Sequence, residues 1–291
     1  MSLTPTEPML IVSDLHLGHR SCLIQNPEQL APLLRNAASV IFNGDTTEMR
    51  AKVDRPVGRK MAAELVHVCH HVGAKAIFIN GNHDPIISNI NHLELANGAI
   101  LVTHGDVLFL GVAPWSKDAK HYLKSHKKIL KELGPEALTD LEHQLRVTKQ
   151  ASIELQSTEK SVTQKAKSGF GLFLRQFWPP TRFFLIAKAW LELPERGANL
   201  AIVYRPKARF IIVGHTHFPG IWRRAGRTII NTGGFVPYLP AYAILLESSR
   251  MEIRHVDRTS AGFVLGRLLK GMKIMEDEYV SHGGHKGFGE S

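Results

Sequence analysis

Seven side chains of metal-holding types stand just beyond short apolar runs in this sequence: Asp14, His16, Asp45, Asn82, His104, His215 and His217. The runs are Met9-Leu10-Ile11-Val12, Val40-Ile41-Phe42-Asn43, Ile77-Phe78-Ile79-Asn80, Ile100-Leu101-Val102-Thr103 and Phe210-Ile211-Ile212-Val213. The third run leads into Gly81-Asn82-His83-Asp84, a polar set that a packed core does not need and a metal site does. Seven candidate ligands are too many for one tetrahedral ion and suit two adjacent ions. Imidazole, carboxylate and amide donors together suit Mn, Fe or Zn. In Asp14-x-His16 and His215-x-His217, alternate residues of an extended segment point the same way, so each pair can face one cavity.

Positioning such a set requires strands. Each run is too short for a helix and rich in β-branched or aromatic residues, the pattern of a strand buried on both faces. In α/β sheets, ligands collect beyond the carboxyl ends of the strands, so five strands of this kind would gather the seven side chains at one rim. Gly44, Gly81 and Gly214 stand beside the ligands, where the chain must turn sharply.

The ordered blocks D-x-H, G-D, G-N-H-D, H-G-D and G-H-T-H, spanning Asp14 to His217, resemble the calcineurin-like metallophosphoesterase superfamily. The resemblance implies an α/β fold of two packed, mainly mixed β-sheets flanked by helices, with a helical insertion and a two-metal site. It implies that Asp14, His16 and His217 hold one metal, that Asn82, His104 and His215 hold the other, and that Asp45 bridges both. His83 would be a catalytic proton donor or charge stabiliser beside the phosphate rather than a ligand. Asn231-Thr232-Gly233-Gly234 resembles the turn that follows G-H-x-H in that superfamily.

At 291 residues the chain can hold one large domain or a domain with an insertion. A net charge of +10 suggests an acidic partner: nucleic acid, an anionic membrane surface or a phosphorylated substrate. Cys22 and Cys69 are the only cysteines, so no disulfide framework is expected and a reducing compartment fits. Residues 1–8 show neither a basic n-region nor an apolar h-region, and no apolar run reaches the ~18 residues of a spanning helix. The expectation is a cytoplasmic protein, with peripheral contact at the inner face of a membrane through residues 114–200.

The expected domain plan is a core of residues 1–113 and 201–275, a basic and aromatic helical insertion over 114–200, and a flexible Gly-rich tail over 276–291. Within the core, Pro27–Ala38 reads as a short helix. Val57–Val72 reads as an amphipathic helix stopped by Gly73, with His67, His70 and His71 off its apolar face. Ala119–Leu133 reads as a helix with Tyr122, Leu123, Leu130 and Leu133 inward. From Pro135 a long amphipathic helix is expected, with Leu138, Leu141, Leu145, Thr148, Ser152, Leu155 and Val162 at heptad-like spacing. A hairpin turning at Ser248-Ser249 and a last helix over Ser260–Ile274 complete the reading.

Residues 170–193 hold seven aromatic side chains, split by Pro179-Pro180, and Lys117 to Lys188 contains 14 basic and 7 acidic residues. Two readings stand side by side. The stretch is a lid that takes acyl chains or lies on an anionic surface, or its aromatics form the insertion's own small core. Arg20, Asn82, Lys120 and Arg175 are the candidate substrate contacts.

The expected chemistry is hydrolysis of a phosphoester or pyrophosphate by a hydroxide bridging two divalent ions, manganese foremost. Within the superfamily, D-L-H-L, Gly44-Asp45-Thr46-Thr47-Glu48 and the helical insertion are similar to the UDP-2,3-diacylglucosamine pyrophosphatases of lipid A synthesis, which implies a lipid-linked nucleotide as substrate. That branch often carries arginine where this chain has His83. The alternatives are a phosphodiesterase or nuclease acting on nucleic acid or soluble phosphoesters, and a non-enzymatic scaffold, which would have eroded ligands where this chain keeps all seven.

Overall fold

The computed structural model describes residues 5–116, 118–134, 138–156 and 180–274. Among the described residues, eleven strands form two mixed sheets. The first holds β1 (Met9–Val12), β2 (Ser39–Asn43), β3 (Lys75–Ile79), β9 (Tyr242–Glu247), β10 (Arg250–Thr259) and β11 (Gly262–Lys273), in the order β11-β10-β9-β1-β2-β3. The second holds β4 (His92–Leu95), β5 (Ile100–Thr103), β6 (Phe210–Val213), β7 (Gly220–Arg224) and β8 (Arg227–Asn231), in the order β4-β5-β6-β8-β7. The α-helices of the described residues flank them: α1 (Ala31–Leu34), α2 (Arg55–His71), α3 (Ala119–Leu133), α4 (Leu141–Gln156) and α5 (Pro180–Tyr204).

The apolar runs are continuous because the sheets stack and each is covered on its far face. Ile11, Ile41 and Ile77 of the first sheet meet Ile100, Val102, Ile212 and Ile230 of the second in a core between the sheets. Their neighbours Leu10, Val12, Val40 and Phe42 point the other way, onto Leu33, Leu65 and Val68 of α1 and α2. On the second sheet, Leu101, Ile211, Val213 and Ile229 face outward onto Leu193, Ala198 and Ala201 of α5. Period-two alternation therefore buries every residue of β1, β5 and β6.

Register sets the site. The parallel pairs align Val12 with Phe42 and Asn43 with Ile79 in the first sheet, and Val102 with Ile212 in the second. The loops bearing Asp14, Asp45, Asn82, His104 and His215 thus leave the two sheets at the same end.

Helix α2 matches its sequence reading, with Leu65, Val68 and Cys69 buried, Gly73 left-handed beyond it at φ +82°, and His67, His70 and His71 exposed. The short helix expected from Pro27 is a 3-10 turn, Pro27–Leu30, followed by α1, and it stops at Leu34. In α3 the buried residues are Tyr122, His126 and Ile129, while Leu133 is 52% exposed. Helix α4 begins at Leu141 rather than near Pro135. Leu138, the first residue of the expected row, lies outside it and is 50% exposed, and Val162 lies outside the described residues. Leu141, Leu145, Thr148, Ser152 and Leu155 are buried, with Val147, Ala151 and Leu155 packed against Tyr122 and Ile129 of α3. Pro180 opens α5 as its first residue, where a missing N–H is no loss. The helix then runs 25 residues, longer than the segment read from the sequence, and residue 200, the expected end of the insertion, lies inside it. Phe170, Phe173, Phe177, Trp178, Arg175 and the tail over 276–291 lie outside the described residues.

The helix expected over Ser260–Ile274 is instead the strand β11, paired antiparallel with β10 from Thr259↔Gly262 to Arg250↔Lys273. Gly266 and Gly271 each cost a helix about 1 kcal/mol, whereas the free edge of β10 offers a full ladder of backbone partners. Among the described residues, no helix is long and apolar enough to cross a membrane.

Candidate metal centre

The seven side chains predicted as ligands converge where the two sheets end. Asp14, His16, Asp45 and His217 place one donor atom each within 4.8 Å of one another, and so do Asp45, His104 and His215. Asp45 belongs to both groups. His16 Nε2 stands 2.9 Å from His217 Nε2, and His217 Nε2 stands 3.2 Å from Asp14 Oδ1. In the second group His104 Nε2 lies 3.3 Å from Asp45 Oδ2 and 3.2 Å from Asn82 Oδ1. All of these residues except His217 are buried.

The backbone accepts strain to achieve this. Asp14, His16, Asp45, His215 and His217 are all left-handed, at φ +52°, +50°, +49°, +69° and +56°. That conformation costs a non-glycine residue about 1–2 kcal/mol, and it bends the chain beyond each strand so that the side chain points back between the sheets. Gly44 is left-handed too, at φ +81°, and a Cβ on it would stand 2.4 Å from His104 Nδ1.

A frame of buried hydrogen bonds fixes these loops. Asp84 accepts backbone N–H bonds from Asp45 at 3.0 Å, Thr46 at 2.7 Å, Thr47 at 3.1 Å and Gly81 at 3.0 Å. One carboxylate thereby ties the loop after β2 to the loop after β3. Asn43 joins the sheets: its Nδ2 donates to Thr103 O at 3.0 Å, and its carbonyl accepts from His104 Nδ1 at 3.1 Å. Asp14 accepts from the His215 N–H and from Ser13 Oγ. Asn231 Nδ2 donates to Gly214 O and Thr216 Oγ1, so the Asn-Thr-Gly-Gly turn braces the loop that carries His215 and His217.

The donor set fits a pair of cations. A carbonyl can only accept, so the 2.9 Å contact of His215 Nε2 with Val112 O places the proton on Nε2. His215 Nδ1 is then a buried lone pair with no hydrogen-bond partner among the described residues, which is what a metal would satisfy. Likewise Asn43 O holds the proton on His104 Nδ1 and leaves Nε2 towards Asp45. Burial lowers His215 to about 3, aided by His104, and burial with His83 and His217 lowers His16, so both rings stay in the neutral, ligating form. Burial works against charge on Asp45, yet His104 and His83 hold it well below the carboxylate range. Burial disfavours charge on His104 as well, but Asp45 outweighs burial and raises it well above the ordinary histidine value. The centre is thus a buried anion that draws positive charge, with the neutral rings of His16 and His215 beside it.

His83 lies at the open side of this centre. Its Nδ1 is 2.8 Å from Glu48 Oε2, its Nε2 is 3.9 Å from Asp45 Oδ2, and its ring meets His16 edge-on at 4.6 Å. Burial lowers its pKa, but Glu48 and Asp45 outweigh burial and raise it above the ordinary histidine value.

The other candidate contacts are more scattered. Asn82 is buried in the centre. Arg20 is exposed in the loop after β1, and Lys120 is exposed on the first turn of α3. Helix α5 reaches the centre through Trp190, whose Nε1 donates to Thr216 O at 3.1 Å and whose ring stacks on Phe218 at 4.4 Å. Asn43, Asp84 and Val112 escaped the sequence reading. For Asp84 the signal was present, since it closes the same Gly-Asn-His-Asp block.

A family model described as calcineurin-like phosphoesterase matches residues 8–219. The chain belongs to this family, and it is a metal-dependent phosphohydrolase with a candidate dinuclear centre. No curated protein matches it. Among solved structures it is similar to a dimetal phosphatase from Danio rerio, at 13% identity over 91% of this chain and 100% of that one, with a TM-score of 0.42. It is also similar to YfcE, a phosphoesterase from E. coli, at 14% identity over 92% and 99% of the two chains, with a TM-score of 0.39. Wild-type Vps29 complexed with zinc, from Entamoeba histolytica, is similar at 13% identity over 92% and 99%, with a TM-score of 0.40.

Proposed function

We propose that the protein hydrolyses a phosphoester or pyrophosphate bond with two divalent cations, manganese foremost, Asp14, His16 and His217 holding one, Asn82, His104 and His215 the other, and Asp45 both. The observation that carries this reading is the membership of Asp45 in both ligand groups. When bound, such a pair supplies a water of lowered pKa and a counter-charge for the phosphoryl oxygens. The chain's own contribution is orientation and a proton. Glu48 holds the His83 ring through Nδ1 and turns Nε2 towards the centre, from where His83 delivers a proton to the leaving oxygen.

For the substrate we propose a lipid-linked nucleotide, with residues 114–200 as the lid over it. This is supported by α5, where Phe183, Phe184, Leu185 and Leu191 are 45%, 68%, 43% and 81% exposed on a helix that also carries Arg182 and Lys188. Apolar surface of this kind with basic neighbours suits acyl chains below a phosphorylated head.

The test is metal-dependent turnover of two substrates side by side, an aryl phosphodiester and a UDP-linked diacyl sugar. Strong preference for the second is expected. Turnover of the aryl ester alone would keep the two-metal chemistry and reject the lipid substrate, and no turnover of either with both metals bound would reject the catalytic reading.

A further inference from the structure

Arg50 stands where the core meets the helical region, and the structure ties it to both. Its Nη1 lies 3.4 Å from His83 Nε2, and its Nη2 lies 3.9 Å from Asp118 Oδ2. Its position is set by the residues that set His83. Glu48 Oε1 accepts the Arg50 backbone N–H at 3.1 Å while Glu48 Oε2 meets His83 Nδ1 at 2.8 Å. The Met49 N–H donates to His83 O at 3.1 Å, so the segment bearing Arg50 and the one bearing His83 move as one piece.

Both of these side-chain contacts are long. A contact of 3.4 Å is long for a hydrogen bond, and 3.9 Å is an ion pair without one. Asp118 Oδ2 is buried and has no hydrogen-bond partner among the described residues. Asp118 is also the N-cap residue of α3, a place where aspartate ordinarily accepts from the first turn, and here it makes no such cap bond. The carboxylate forgoes the helix and faces the guanidinium. A guanidinium only donates, and it matches phosphoryl oxygens better than a carboxylate held off at that distance.

We infer that Arg50, together with His83, forms the receiving site for the phosphoryl oxygens that face away from the metals, and that Asp118 is a latch that holds Arg50 until an oxyanion takes its place. This rests on the phosphohydrolase reading above and adds to it a substrate-binding residue and its counter-ion.

The experiment is calorimetric titration of inorganic phosphate into the full chain loaded with manganese, with metal content measured on each sample. Arg50→Ala is expected to weaken phosphate by roughly tenfold or more with both metals retained, and Arg50→Lys to recover part of the loss. Asp118→Asn is expected to tighten phosphate a few-fold, since the latch no longer competes. Wild-type phosphate affinity in Arg50→Ala would overturn the inference while leaving the two-metal reading standing. So would Asp118→Asn weakening phosphate as much as Arg50→Ala does, because the pair would then be a support and not a latch. Failure of the metal-loaded wild type to bind phosphate would overturn the phosphohydrolase reading itself, and this inference with it.

Discussion

Gly81 lies so close to Asp45 that a Cβ on it would stand 2.2 Å from both the Asp45 amide nitrogen and Oδ1. The residue common to both ligand groups is therefore seated against a surface that has room for a hydrogen and nothing larger. Gly81→Ala is expected to push Asp45 off position, lowering metal content below two per chain and activity by at least about 100-fold. Gly73→Ala is the contrast. Nothing lies within 4 Å of a Cβ there, but φ is +82°, so about 1 kcal/mol of stability is lost with metal content unchanged. Elemental analysis and a thermal melt on both variants separate the two effects.

Asp84 serves four backbone donors from two loops. Asparagine in its place offers one oxygen and turns an amide N–H₂ towards N–H groups. Asp84→Asn is expected to cost about 2–4 kcal/mol, seen as a melting point lower by several degrees, and to loosen the centre as the two loops part. An unchanged melting point would mean that the loops are held by other contacts.

The roles proposed for Asp45 and His83 predict different signatures when each is removed. Asp45→Ala is expected to abolish activity and empty both metal positions. His83→Ala is expected to lower turnover by about 10²–10⁴ with both metals retained. Glu48→Gln, which keeps shape but removes the charge beside His83 Nδ1, is expected to fall between wild type and His83→Ala. Full activity in His83→Ala would remove it from the mechanism.

Much of this architecture is legible in the chain because burial on two faces leaves an unmistakable mark. The runs ending at Val12, Asn43, Ile79, Thr103 and Val213 are apolar at every position or nearly so, and each leads within three residues to a candidate ligand. What is not legible depends on partners far away. Strand β11 carries Leu268 and Leu269 between two glycines, with no clean alternation, and it is a strand because β10 presents an open edge. The short strands β4 and β7 owe their state to β5 and β8 in the same way. At the site, Asn43 looks like the last residue of a strand, and its role in joining the two sheets exists only once Thr103 and His104 are opposite. Val112, left-handed at φ +63° and supplying the carbonyl for His215, has no sequence signal at all.

The two thiols give an inexpensive check on the packing. Cys22 is 8% exposed and Cys69 is fully buried, and burial pushes each thiol up to about 12. Native protein at pH 8 is expected to leave a thiol reagent unreacted, with both groups reacting once guanidinium unfolds the chain. In the unfolded chain the thiols lose their protons near pH 9, whereas in the folded chain they keep them. Stability should therefore be fully present below pH 9 and fall as pH rises towards 12, which denaturant titrations at pH 8, 9 and 10 would register.

Five candidate ligand positions hold a left-handed backbone shape that glycine adopts without the strain an aspartate or histidine bears there. Mutation at those places is thus biased in a particular direction. Replacing His16 or His217 by glycine would relax the chain even as it disarmed the centre. A lineage released from selection for catalysis would find stabilising substitutions waiting at its own active site, and would drift into a firmer, inert version of the same fold.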